Sequence, residues 1–508
     1  MKLGKDLLSV QEMRDAVQKA KEAQEKFMQF SQRKIDSIVE AVAKAAYNKS
    51  EELAKLAVEE TGMGVTEHKV MKNHVGSMDV YNSIKNEKTI GVINEDTKNK
   101  VKEIAYPFGV IAAIIPTTNP TSTAMYKTLV SLKSGNGIVV SPHPRAKKCT
   151  VETLKICRQA AIDAGAPDGL IGWITEPGME ATNQLMSHRN VNLILSTGGG
   201  GLVRAAYSSG KPAYGVGPGN VPVYIEKSAD VKKAVKMIVD SKTFDNGTIC
   251  ATEQSIVVDG SIKDMAVQEL KNNGSYILNQ EEKEKLEKVI SPGAGKISPD
   301  IVGKSAVTIA KMGGVSVPAE TRLLIAEEDQ VGKEVPFSLE KLAPLFAMYT
   351  ADKPEDAKTR CLGLLNLGGR GHSFALHTSD ESVVQEYGED MPVSRVIVNT
   401  LSSIGAVGAT TALEPSMTLG CGAYGGNISS DNITARHLFN VKRVAHGIKE
   451  VQVPQPGQTD NGNGGEINNL NNMVKETIRN SNSTSSQGLD TNKIEMLVRE
   501  VLKEYQNQ

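Results

Sequence analysis

The polar loop Thr243-Phe244-Asp245-Asn246-Gly247-Thr248-Ile249-Cys250-Ala251-Thr252-Glu253-Gln254 sets a single cysteine beside a glycine turn. A thiolate is the most nucleophilic common side chain near neutral pH. Backbone N–H groups at a loop leading into a helix or strand lower a thiol's pKa and point at an oxyanion growing on an attacked carbonyl. Cys250 therefore reads as a nucleophile with a depressed pKa. Most free cysteines are small buried hydrophobes, so that reading needs partners elsewhere in the chain. Asn119 is one. Gly109–Ile115 is an apolar run, and the segment Pro116-Thr117-Thr118-Asn119-Pro120 behind it puts an amide at the carboxyl end of a buried strand, the edge where open parallel sheets bind ligands. Composition alone equally allows Asn119 to shape a turn before Pro120. Thr197-Gly198-Gly199-Gly200-Gly201 is a glycine turn opening a helix, which offers backbone N–H groups to phosphate. The Gly-x-Gly-x-x-Gly fingerprint is absent, because its third glycine would fall at Val203 or Arg204. His372, in the glycine-rich turn Leu367–Ser373, is a further candidate, although a lone histidine is more often structural.

These groups need a scaffold. At 508 residues the chain exceeds the size of one growing core, so two domains with extensions are expected. Ser9 to about Thr61 has helical periodicity, ending at Gly62-Met63-Gly64. Thr89–Asn94 and Lys100–Tyr106 alternate around a polar turn and predict a β-hairpin suited to an oligomerisation arm. Strands then alternate with helices: Gly109–Ile115, Gly137–Val140, Leu170–Thr175, Val191–Ser196 and Val221–Glu226 are the strands, Ala146–Ala164 a helix, and a second α/β region runs to about Asn399. Val451-Gln452-Val453 reads as a final short strand. The fold class is α/β.

Composition narrows the partners. The 58 Lys and Arg nearly balance the 59 Asp and Glu, which argues against nucleic acid and for small molecules or proteins. Five cysteines without Cys-x-x-Cys spacing indicate neither a disulfide framework nor a metal site and fit a reducing cytosol. Residues 1–30 lack an apolar signal core, and Val110–Ile115 is too short to span a bilayer, so neither export nor membrane anchoring is expected. From Pro454 to about Gly488 the chain is rich in Gln, Asn, Gly, Ser and Thr, a linker composition with a weak helical signal near Ile467–Ile478. Beyond it Ile494, Leu497, Val498, Val501, Leu502 and Tyr505 form an amphipathic stripe, which implies a partner groove. A helix folding back on its own domain is the alternative.

From about Lys5 to Val453 the order of these segments resembles the aldehyde dehydrogenase superfamily. The resemblance rests on Pro107-Phe108-Gly109-Val110-Ile111 with Pro116 and Asn119, the Thr197-Gly198 turn, the Cys250 loop and Glu340-Lys341-Leu342-Ala343-Pro344. It implies two Rossmann-like α/β domains: a dinucleotide-binding domain at 1–88 and 107–226, and a catalytic domain at 227–442. An oligomerisation arm would take 89–106 and 443–453, followed by a linker at 454–488 and a targeting helix at 489–508. It also implies a dimer or dimer of dimers. Hydrolytic members carry a water-activating glutamate where this chain reads Gly215-Val216-Gly217-Pro218-Gly219. A lysine that commonly contacts the adenosine ribose is replaced within Ser141-Pro142-His143-Pro144-Arg145. These departures resemble the CoA-acylating members, and the tail is similar to microcompartment encapsulation peptides. The resemblance implies attack by Cys250, an oxyanion held by its own N–H and Asn119, and ping-pong release of the acyl group to coenzyme A. Glu340 would hold the nicotinamide ribose, and Thr117, Pro142, His143, Thr197, Gly198, Gly215, Val216, Gly217, Pro344 and His372 would contribute to cofactor binding. NAD and coenzyme A are the expected cofactor and co-substrate, and no metal is expected. Propionaldehyde is the expected substrate, with acetaldehyde as alternative, inside a microcompartment in the cytoplasm, with shell or cargo proteins as the tail's partners. A hydrolytic enzyme with an unrecognised base and a non-catalytic shell-docking scaffold are the competing readings.

Overall fold

The computed structural model describes residues 4–293, 295–451 and 453, together with 472, 475, 492, 495, 496, 498 and 499. Residues up to His446 form one compact unit and those from Gly447 a second. The helical pattern at the N-terminus resolves into three helices, Lys5–Phe27, Gln32–Asn48 and Ser50–Thr61. The last is closed by Gly62 in the left-handed region at φ 64°.

Three sheets organise the first unit. The hairpin β1 (Gly91–Asp96) and β2 (Val101–Pro107) is antiparallel. The next strands in chain order are β3 (Val110–Ile114), β4 (Gly137–Ser141), β5 (Ile171–Trp173), β6 (Val191–Thr197) and β7 (Ala213–Val216). They make a parallel sheet in the order β5-β4-β3-β6-β7. The continuous apolar runs of β3 and β4 are buried residue for residue, as a sheet covered on both faces requires. Strand order reverses between β3 and β6, which opens a crevice at their carboxyl ends. Lys127, fully buried on the helix Pro120–Lys133, donates to the Ile114 carbonyl at 2.7 Å and the Leu195 carbonyl at 2.8 Å, so it staples the two strands beneath that crevice.

A second parallel sheet contains β8 (Val221–Ile225), β9 (Glu253–Asp259), β10 (Ser275–Ile277), β11 (Leu323–Glu327), β12 (Leu345–Ala351), β13 (Gly371–His377) and β14 (Val393–Val398). Its order is β10-β11-β12-β9-β8-β13-β14. The chain then returns as β15 (Phe439–Ala445), antiparallel to β2.

This return corrects the expected strand at Val451–Val453. Pairing starts with Phe439 opposite Pro107 and runs out with Ala445 opposite Val101, where β2 itself ends. Val451 and Val453 are irregular and 79% and 74% exposed. In the second unit, residues 472, 475, 492, 495, 496, 498 and 499 are helical, and Val498 is half-buried. Ile494, Leu497, Val501, Leu502 and Tyr505 lie outside the described residues, as does most of 454–488. Among the described residues no helix is long and apolar enough to cross a membrane.

Candidate active site

The cysteine loop is built by a backbone that few residue types tolerate. The helix Val231–Thr243 ends in a tight turn in which Asp245 and Asn246 stand at φ 50° and 52°, the left-handed region that Asp and Asn enter more readily than other side chains. Side-chain bonds hold the turn there. Asp245 is fully buried and accepts from the Val65 N–H at 2.8 Å, Lys69 Nζ at 2.9 Å, Thr248 Oγ1 at 2.6 Å and Lys72 Nζ. Its own N–H donates to His68 Nδ1 at 2.8 Å. The loop is thereby pinned to the helix Thr66–His74, and the ion pairs hold the Asp245 carboxyl below the usual range against its burial.

Cys250 emerges from this loop just before β9, half-buried, on the wall of a cleft of about 610 Å³. The cleft lies at the carboxyl ends of β3, β4, β6 and β7. Of the residues expected at the site, Thr117, Asn119, Pro142, His143, Thr197, Gly198, Val216, Gly217, Cys250 and Glu340 all line it. The Asn119 amide nitrogen donates to the Thr248 carbonyl at 3.3 Å and to Thr118 Oγ1 at 3.2 Å. Both bonds are at the long end of the normal range, so this N–H pair is poorly used by the protein, and its partner Thr248 stands two residues before the nucleophile. A developing oxyanion is a better partner for it than either neighbour.

Gly219 joins the parts. Its N–H donates to Glu340 Oε1 at 2.8 Å, while a Cβ there would lie 2.3 Å from the Cys250 carbonyl oxygen and 2.8 Å from the His372 ring. Glycine is what lets the three segments meet. Burial raises the Glu340 carboxyl, against the Gly219 N–H.

The thiol itself departs from expectation. Burial pushes Cys250 up to about 12, with Glu340 and Cys421 adding to the shift and Arg395 opposing it. The loop's backbone donors do not outweigh desolvation, so Cys250 is a neutral thiol at pH 7 in this state.

Three expected contributors lie behind the cleft wall. Gly215 gives its N–H to the Tyr207 hydroxyl at 3.0 Å, and a side chain there would strike Val203 and Tyr207. Pro344 is buried and its carbonyl takes the Leu324 N–H at 3.1 Å, a sheet contact. His372 is fully buried in β13 rather than on an open turn, and burial lowers it to about 3. Lys69, Lys72 and Thr248 belong to the site and went unnoticed in the sequence.

The cleft fits a dinucleotide. Gly199, Gly201 and Gly217 line it, none has a positive φ, and a Cβ on any of them would meet no atom within 4 Å. Neither backbone conformation nor packing calls for glycine there, so the bare backbone is left for a ligand. Gly199 caps the helix Gly200–Ser208, and Gly201 and Leu202 of its first turn line the cleft, where unpaired helix N–H groups suit an anion. His143 is half-buried, and burial together with Arg145 lowers its imidazole below the usual histidine value.

The family model described as aldehyde dehydrogenase family matches residues 6–292. The bifunctional aldehyde-alcohol dehydrogenase AdhE of Escherichia coli K12 is 47% identical over 442 residues, covering 86% of this chain and 50% of that protein. This chain thus spans about half the length of that protein. The crystal structure of an acetylating aldehyde dehydrogenase from Geobacillus thermoglucosidasius superposes with a TM-score of 0.87 at 52% identity, covering 88% of this chain and 99% of that one. A propionaldehyde dehydrogenase from the fucose utilisation bacterial microcompartment of Clostridium phytofermentans gives 0.78 at 29% identity, over 86% and 97% of the two chains.

Proposed function

Because the chain belongs to the aldehyde dehydrogenase family, we propose that it is a NAD-dependent, CoA-acylating member that converts a short aliphatic aldehyde to its acyl-CoA. The observation that carries this reading is the combination of Cys250 and the under-used Asn119 amide with a wall almost free of bases. Of the described residues lining the cleft one carries a carboxylate, Glu340, and that one is tied to the Gly219 N–H. At the place where hydrolytic members hold a water-activating glutamate the chain has Gly215–Gly219.

Cys250 gives its proton to solvent in the cleft, its sulfur bonds to the aldehyde carbon, and the carbonyl electron pair moves to oxygen, where the Asn119 N–H and the Cys250 N–H receive it. NAD bound at the glycine turn supplies the acceptor for the hydride that leaves as the Cys250 thioester forms. The Glu340 carboxylate is tied to the Gly219 N–H and the His143 Nδ1 lone pair takes the Arg145 N–H at 3.1 Å, so neither is left to activate water, whereas the coenzyme A thiol ionises far more readily than water. Its sulfur attacks the thioester carbon and Cys250 leaves as the thiolate. Glu340, raised by burial and anchored through one oxygen, orients the cofactor's ribose.

A separate hollow of about 240 Å³ beside the loop is lined by Val75, Phe244, Ile249, Ile404, Val407 and Met417 together with Lys72, His74 and Asp79, and neither Cys250 nor Asn119 lines it. The resemblance to microcompartment enzymes favours propionaldehyde, while the 52%-identical acetylating relative favours acetaldehyde. The microcompartment neighbour supports a lumenal location, with the stripe from Ile494 to Tyr505 docking on shell or cargo proteins. The return of β15 to the hairpin supports assembly into a dimer or dimer of dimers through that arm. Product analysis tests the reading: with aldehyde, NAD and coenzyme A the protein should yield acyl-CoA in a one-to-one ratio with NADH, and free acid as the main product would refute it. Comparing kcat/KM for acetaldehyde, propionaldehyde and butyraldehyde ranks the substrates.

A further inference from the structure

The helix Thr66–His74 carries Lys69 and Lys72 one turn apart, with side chains 2% and 4% exposed, against a single fully buried carboxylate, Asp245. Two cations and one anion leave one net positive charge beneath the reaction centre. Lys69 spends its further donor on the Thr118 carbonyl at 3.0 Å. Lys72 reaches Thr248 Oγ1 at 2.9 Å and Asn119 Oδ1 at 2.6 Å.

An ammonium only donates, so the Asn119 oxygen must face Lys72 and its NH2 must turn toward the Cys250 loop. The flipped amide would set NH2 against an ammonium and its oxygen against the Thr248 carbonyl, two repulsive contacts in place of two hydrogen bonds. A charged donor on the amide oxygen also draws electron density from the nitrogen and strengthens its N–H as a donor. We propose that Lys72 is a positioning residue for the acylation step, acting through Asn119 by locking and polarising the amide that receives the oxyanion. Burial brings the Lys72 ammonium down to about 8 while Asp245 opposes the shift, so the charge is still present at neutral pH. This inference rests on the oxyanion role given to Asn119 above.

A double-mutant cycle on the full chain tests it, with NADH formation measured at saturating coenzyme A. Lys72→Met leaves Lys69 and Asp245 as a one-to-one pair, and Lys72→Gln is the second variant should the first not fold. Lys72→Met is expected to lower kcat about 10–100-fold with KM for NAD and coenzyme A within about twofold, and Asn119→Ala to lower it about 10²–10³-fold. The double variant should be no slower than Asn119→Ala alone, and Lys72→Arg should recover part of the loss. Equal cost of Lys72→Met in both backgrounds, or no loss from Lys72→Met, overturns the role of Lys72 while leaving that of Asn119 intact. Full turnover by Asn119→Ala overturns the oxyanion reading and this inference with it.

Discussion

The resting thiol gives the sharpest quantitative test. Cys250 is held at about 12 by burial, compared with roughly 8.5 for a free cysteine, so at pH 7.5 its thiolate population is about three-thousand-fold lower. A more basic thiolate is the better nucleophile, and a Brønsted slope of about 0.4–0.5 returns roughly fortyfold. The free enzyme should therefore react with a small neutral disulfide such as 4,4′-dithiodipyridine about a hundredfold more slowly than free cysteine. Its rate should rise about tenfold per pH unit from 7 to 9.5 without a plateau. The signal is clean because Cys149, Cys157 and Cys361 are fully buried, Cys421 is 3% exposed, and burial raises all four. Stopped-flow release of the pyridine thione, with Cys250→Ala as blank, supplies the rates. A plateau between pH 6 and 8, or reaction faster than free cysteine, would mean that the loop's donors overcome desolvation and that the reasoning is wrong.

Asp245→Asn keeps a residue that tolerates φ 50° while leaving Lys69 and Lys72 buried without an anion, so urea denaturation should register a loss of about 3–5 kcal/mol. Because the Asp245 carboxyl is held below its unfolded value, the stability it contributes is present above that value and disappears as pH falls through its folded one. The unfolding free energy of Asp245→Asn from urea titrations should accordingly depend less on pH below about 4 than that of the wild type. Gly199→Ser places a Cβ where no protein atom lies within 4 Å and keeps a residue suited to a helix N-cap, so Tm should stay within about 2 °C while Kd for NAD rises several-fold; unchanged Kd by titration would remove the glycine turn from cofactor binding. Deleting residues 455–508 should leave kcat unchanged and abolish co-purification with microcompartment shells, and full packaging of the truncated enzyme would reject the targeting role of the tail.

Much of this architecture is legible because it is local. The unbroken apolar runs Gly109–Ile115 and Gly137–Val140 read as buried parallel strands, and the loops that follow them fall at the crevice where Asn119 and Ser141–Pro144 lie. The turn at Thr197–Gly201 opens a helix as its glycines imply. What escapes the sequence is long-range pairing. Nothing local in Thr66–His74 marks Lys69, Lys72 and Asn73 as its buried residues, because the carboxylate that makes the burial of the two lysines tolerable is Asp245, more than 170 residues away. The depressed thiol fails for a related reason: sequence reveals the loop and its N–H groups but not the depth at which they sit. His372 misleads through its glycines. They read as an open turn, but Gly371 is needed because a Cβ there would stand 1.9 Å from the Cys421 carbonyl oxygen, and the chain continues directly into a buried strand.

The central claim is that the acyl group waits on Cys250 for a thiol rather than for water. Rapid mixing of enzyme with NAD and aldehyde in the absence of coenzyme A tests it most directly, with NADH followed by absorbance and the quenched protein weighed by intact-mass spectrometry. One NADH per site, a mass increase equal to the acyl group on the peptide holding Cys250, and release of that mass on adding coenzyme A are the predicted results. Continuous NADH formation without coenzyme A, or a burst that persists in Cys250→Ala, would contradict it.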